Sequence, residues 1–248
     1  MATQTKRTQS AQQSTEQGLI AATFTRLIQA FVFMLLTLFF SILIEWTGIA
    51  FDFWEPPGPR HSAQMLEQEL AYLNNDFKRS VLVEKPAQFA KNFADEFYHL
   101  TIEKTGIQAA ILWLAKPVPG VKDQPFRARL HLIFNALREY IVAAITVTQI
   151  FAVRIAILVL AFPAFILLSL VGLVDGLVQR DIRRWSGGRE TSFVYHWAKK
   201  MLYPSLILPW VIYLAMPESV HPNYVVLPFA VLFALSVTIM ASTFKKYL

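Results

Sequence analysis

The sequence predicts an all-α polytopic membrane protein, with four transmembrane helices and a helical extramembrane domain inserted between the first and second. Three observations predict it. Hydrophobic residues are 55% of the 248, and they are clumped into long runs, not dispersed with the period of a strand or surface helix. No stretch alternates with period 2 for long, which leaves the helix as the regular element. The basic residues, finally, are sorted by segment in a way that only a chain threaded through a membrane requires.

Residues 1–17 are rich in Gln, Thr and Ser and almost free of large apolar side chains. Such a segment cannot bury enough surface to order itself, so a disordered tail is expected. Residues 18–48 form the first crossing, built on the uncharged run of 18 residues from Leu27 to Ile44. The rival reading is a cleaved signal peptide. Its apolar core would be shorter, and "EWTGIAF" after the run lacks a small-x-small cleavage site. Trp46, Phe51, Phe53 and Trp54 then match an interfacial aromatic belt, and Pro56, Pro57 and Pro59 stop the helix.

Residues 49–140 change character. Met65, Leu66, Leu70, Leu73 and Phe77 keep helical spacing behind a cap expected at Ser62. Pro86 opens a second helix, with Phe89, Phe93 and Phe97 on one face, running on through Ile107, Ile111 and Leu114. The phenylalanine stripe is expected to be core, with a partner groove as the alternative. "AKPVPGVKDQP" reads as a loop. A third helix from Phe126 shows Leu130, Phe134, Leu137 and Ile141 on one face.

Residues 141–174 are almost continuously apolar, broken by Arg154 alone. As one helix they extend about 51 Å, too long for a hydrocarbon core of about 30 Å. Taking Ile155–Val174 as the second crossing leaves Arg154 outside the hydrocarbon. A charge at its centre costs at least about 2.5 kcal/mol. Arg154 is therefore expected to snorkel at the outer interface, with a functional intramembrane arginine as the rival. Residues 175–200 are a basic elbow, 201–242 a hairpin of two further crossings or a re-entrant pair, and 243–248 a short tail.

Charge sets the orientation. Residues 45–154 hold 12 Lys or Arg and 12 Asp or Glu. Of the other 11 basic residues, ten lie in the first tail, the elbow or the last tail, and Arg26 stands on the first tail's side of the apolar run. With four crossings those three segments share a side, and the positive-inside rule makes it the cytoplasm. The net charge of +6 is then topogenic, which removes it as evidence for a nucleic-acid-binding domain.

The elbow carries the most specific pattern. Arg180, Arg183 and Arg184 stand at i, i+3 and i+4, one face of a helix continuing inward. Trp185 lies on another face, and Gly187-Gly188 ends the helix. A second helix then leads from Arg189, Glu190 and Thr191 through Tyr195, His196 and Lys199 into the next crossing. Arginine in place of lysine suits bidentate pairing with carboxylate or phosphate. Three readings compete: charge that only fixes topology and touches anionic lipid headgroups, docking of a protein partner, and contact with DNA or RNA. A triple arginine without interleaved aromatics argues against direct nucleic-acid contact.

Catalytic, cofactor-binding and metal-binding residues are not expected. The chain has no cysteine, and its five histidines never pair at i, i+4. "GGRE" lacks the Gly-Lys-Ser/Thr ending of a phosphate loop. Asp175 reads as a helix-end partner to Arg180, and Ser186 or Ser192 near His196 as coincidence.

The elbow "RDIRRWSGGRETSFVYHWAKK" resembles the signature of a family of inner-membrane proteins encoded by integrating conjugative elements and defined by a domain of unknown function. Arg180, Arg183, Arg184, Gly188, Arg189, Glu190, Tyr195, His196 and Lys199 carry the likeness. It implies a bacterial inner-membrane protein of a type IV secretion-like DNA-transfer apparatus, encoded beside a coupling ATPase, with residues 49–154 mainly periplasmic. No catalytic residues are carried over from it. A scaffold or docking subunit is the expectation, and a channel or transporter for a small solute is the alternative. The latter would want polar residues inside crossings that offer little beyond Gln29, Ser169, Ser205, Ser236 and Thr238.

Overall fold

A computed structural model describes residues 19–76, 86–116, 125–187 and 192–244. Among them every regular element is helical and none is a strand. The chain divides into two units, residues 1–37 and 38–248. The first expected tail (1–17) lies outside the described residues, as do the loop at 117–124 and most of the last tail.

Helix α1, Leu19–Ala50, crosses the boundary between the units. In the first unit Phe24, Ile28, Phe31 and Phe33 are exposed, an apolar surface compatible with insertion into lipid. In the second unit α1 ends at Ala50. Asp52 then takes a left-handed φ of 51°, while Phe51 and Phe53 return their N–H groups to the carbonyls of Thr47 and Gly48. That closes the helix before the prolines.

Helix α2, Arg60–Asp76, buries Ser62, Met65, Glu69 and Leu73, one stripe at helical spacing. Ser62 is not the cap: the helix begins two residues earlier, and the buried hydroxyl donates to Pro59 O at 3.2 Å. Helix α3, Pro86–Tyr98, stacks Phe89, Phe93 and Phe97 with centroids 6.4 Å apart. These rings are half-buried, and Ala90 is the fully enclosed residue of the helix. The expected continuation to Leu114 breaks. A π-helical turn, His99–Glu103, leads to Gly106 at φ 77°, and a separate helix α4 covers Ile107–Ala115. Gly106 supplies the left-handed residue that the break requires.

Helix α5, Pro125–Trp185, is unbroken for 61 residues, about 90 Å at 1.5 Å per residue. It passes through Pro163 and stops where Gly187 adopts φ 66°. Helices α2, α3 and α4 pack along its first part, and α7, Pro222–Thr243, along its second. Contact with α7 is close because Gly172 and Gly176 face it. A Cβ on Gly172 would meet Ala234 O at 2.6 Å, and one on Gly176 would meet Thr238 O at 2.5 Å. Small residues one turn apart let two backbones approach where no hydrophobic effect drives helices together. Helix α6, Ser192–Ala215, packs antiparallel against α7 across the turn at 216–221.

Among the described residues three helices are long and apolar enough to cross a membrane: Phe24–Ala50, Arg129–Trp185 and Pro222–Thr243. The fourth expected crossing, Leu202–Met216, falls short of that standard. Its apolar run is 15 residues, and the helix containing it carries His196, Lys199 and Lys200 ahead of that run.

Candidate functional site

Two clusters of polar side chains sit near opposite ends of the long apolar part of α5. The first surrounds Arg154, which is 2% exposed. Its Nε donates to Glu69 Oε1 at 2.9 Å, and its Nη2 lies 2.9 Å from the same oxygen. Nη1 donates to Met216 O at 2.6 Å and Nη2 to Glu218 O at 2.7 Å. Tyr213 donates to Glu69 Oε2 at 2.5 Å. Its ring also lies 5.3 Å from the guanidinium carbon, within cation–π range. One arginine thus ties α2, α5, the end of α6 and the 216–221 turn together.

Arg154 does not snorkel, contrary to expectation. Long basic side chains reach for water when no internal partner exists. Here a fully buried carboxylate, two carbonyls and an aromatic face replace hydration, and they supply the matching that a buried charge must have. Sequence reading missed Glu69 and Tyr213. A signal for Glu69 was present: it stands between Met65 and Leu73 on the apolar stripe of α2, where an unpaired acid would be costly.

Beside this cluster, His61 Nδ1 lies 3.0 Å from Glu45 Oε2. Trp54 stacks on the imidazole at 4.3 Å and 3° and donates its indole N–H to Glu45 O at 3.2 Å. Trp54 occupies the space that a Cβ on Gly48 would need. Trp46 donates to Tyr140 O at 2.8 Å. Two tryptophans of the expected aromatic belt thus fasten the end of α1 to α5 and to the start of α2.

The second cluster is the elbow. Arg183, half-buried, donates to Ser242 O at 3.0 Å and so meets one of the last carbonyls of α7. Cations favour that position because the carbonyl end of a helix carries partial negative charge. Arg180 is half-buried and Arg184 exposed. Trp185 is 93% exposed and Ile182 62%, both beside an open groove with Val178 and Asp181. Asp175 accepts from Gln179 at 2.7 Å, not from the expected Arg180. Tyr195 is half-buried, its ring 6.0 Å from Phe244 and 5.5 Å from His196. His196 and Lys199 are exposed. Gly188, Arg189 and Glu190 lie outside the described residues. The geometry thus brings Arg183 and Tyr195 onto the end of α7 and leaves Arg184, Trp185, His196 and Lys199 facing outward.

The family model described as IncC plasmid conjugative DNA transfer protein DtrJ-like matches residues 53–245, more than three quarters of the chain. The chain belongs to the DtrJ-like family. The match ties it to conjugative DNA transfer and takes in both clusters. No curated protein and no solved structure matches it.

Proposed function

We propose that this DtrJ-like chain is a non-enzymatic scaffold of the conjugation apparatus in the bacterial inner membrane, docking a cytoplasmic partner on its arginine elbow. Residues 49–154 are mainly periplasmic in this reading, and both termini are cytoplasmic. Several observations support it. Arg154 and Arg183 lie 29 positions apart on one helix, about 44 Å, close to the roughly 40–45 Å of a bilayer with its headgroups. Everything bonded to Arg154 sits toward one end of that length, and the last turn of α7 meets Arg183 at the other. Helix α6 starts beside Phe244 and reaches the 216–221 turn, so it runs as far as α7 does. That supports a fourth crossing despite its modest hydropathy.

The observation that carries the docking role is Trp185, 93% exposed beside an outward-facing Arg184. Tryptophan and arginine are the residues that most often dominate binding energy at interfaces. Their surroundings fit an acidic protein surface of the transfer machinery, the coupling ATPase being the candidate that the sequence resemblance implies. Anionic lipid headgroups would contact the flanking Lys199 and Lys200. A solute pathway gains less support. The hydroxyls of Thr148, Ser205, Ser236 and Thr238 each donate to a carbonyl of their own helix, which leaves them helix-internal roles.

Photocrosslinking from position 185, in cells carrying the whole transfer gene cluster, tests the proposal. It expects one discrete protein adduct that Arg184→Glu abolishes while membrane levels of the chain hold. Lipid adducts alone would contradict docking.

A further inference from the structure

The second oxygen of Glu45 presents a problem that protein atoms do not solve. Glu45 is 3% exposed, and its Oε1 is buried without a hydrogen-bond partner among the described residues, while Oε2 meets His61. A buried, unsatisfied carboxylate oxygen is costly, on the order of 1–3 kcal/mol or more. Oε1 belongs to a residue lining a cavity of about 20 Å³ whose wall includes Met65, Val147, Phe151, Met216 and Arg154. One water needs roughly 10–15 Å³ of such space, together with two or more polar partners.

We infer that this cavity is a binding site for one ordered water, which donates to Glu45 Oε1 and accepts from Arg154. Protonating Oε1 would not solve the problem, because it exchanges an acceptor without a donor for a donor without an acceptor. A metal cation is disfavoured by the guanidinium on the same wall and by a space of one water. Water has both functions in one molecule. Arg154 can supply the second contact, since Nη1 carries another proton besides the one given to Met216 O. The water then joins two groups that the protein atoms leave separate. His61 and Glu45 connect through it to Arg154, Glu69 and Tyr213, one chain of hydrogen bonds from the end of α1 to the end of α6. Such chains act as units, because each bond polarises the next.

An experimental structure of the full chain in lipid nanodiscs, at a resolution that shows ordered water, tests this directly. A density peak within about 3 Å of both Glu45 Oε1 and an Arg154 nitrogen is expected. An empty cavity would overturn the inference. A second measurement reads the linkage. Glu45→Gln and Tyr213→Phe change groups joined only through the water, Arg154 and Glu69. The Tm loss of the double variant should therefore fall short of the sum of the single losses, and a loss equal to the sum would overturn the link. Should either variant fail to fold, the map of the natural chain decides alone.

Discussion

Arg154 and Arg183 stand on the same helix and differ in almost everything else. Arg154 is enclosed, with a carboxylate and two carbonyls fixed around it. Arg183 is half-buried and, among the described residues, meets the carbonyl of Ser242. The difference shows how one residue type serves two purposes. In the enclosed cluster the partners are already present, so the arginine holds helices together. At the elbow its neighbour Arg184 is exposed, on the surface where the proposed partner would dock.

The comparison breaks most visibly at Arg154. Arg154→Ala or Glu69→Ala strands a buried partner charge and should cost about 3–5 kcal/mol, read as unfolding in detergent or as loss of protein from the membrane. Arg154→Met combined with Glu69→Leu should recover most of that loss, since an apolar pair of similar volume often replaces a buried ion pair without penalty. If the double variant is as damaged as the singles, the cluster has a role beyond packing. Next in size is the α5–α7 contact. Gly176→Leu drives a side chain into the backbone at Thr238 and should cost about 1–3 kcal/mol, measured by the same unfolding assay. Arg183→Ala removes one cation from a helix end and should cost about 0.3–1 kcal/mol. Smallest for stability is Arg184→Glu, expected within about 0.5 kcal/mol of the natural chain. Conjugation frequency should nevertheless fall, and equal transfer by the Arg184→Glu strain would show that the elbow only sets topology.

Much of the fold was legible because it rests on local patterns. Clumped apolar runs and Gly187 at the helix stop are properties of neighbouring residues, and they set the end of α5 at Trp185. The break at Gly106 was visible too, yet the phenylalanine and isoleucine spacing continued across it and masked it. Arg154 was a different matter. Its fate depends on Glu69, 85 positions earlier, and on carbonyls more than 60 positions later. Periodicity carries no information about such partners. The charge of Glu69 within an apolar stripe and the lone arginine within an apolar run were two halves of one signal. The elbow shows the reverse case: its arginines were conspicuous, but the employment of Arg183 at the end of α7 needed the packing of distant helices. The fourth crossing was the hardest to read for a similar reason, since the hydropathy of α6 is modest and its support comes from its pairing with α7.

The account stands on the two ends of α5 facing opposite sides of the membrane. Because the chain contains no cysteine, single cysteines can report this without background. Ala109→Cys lies in the extramembrane helices and Ser186→Cys at the elbow, and both positions are exposed. A membrane-impermeant maleimide applied to intact cells should label position 109 and leave 186 unlabelled until the inner membrane is opened. Labelling of both from outside, or of 186 alone, would contradict it.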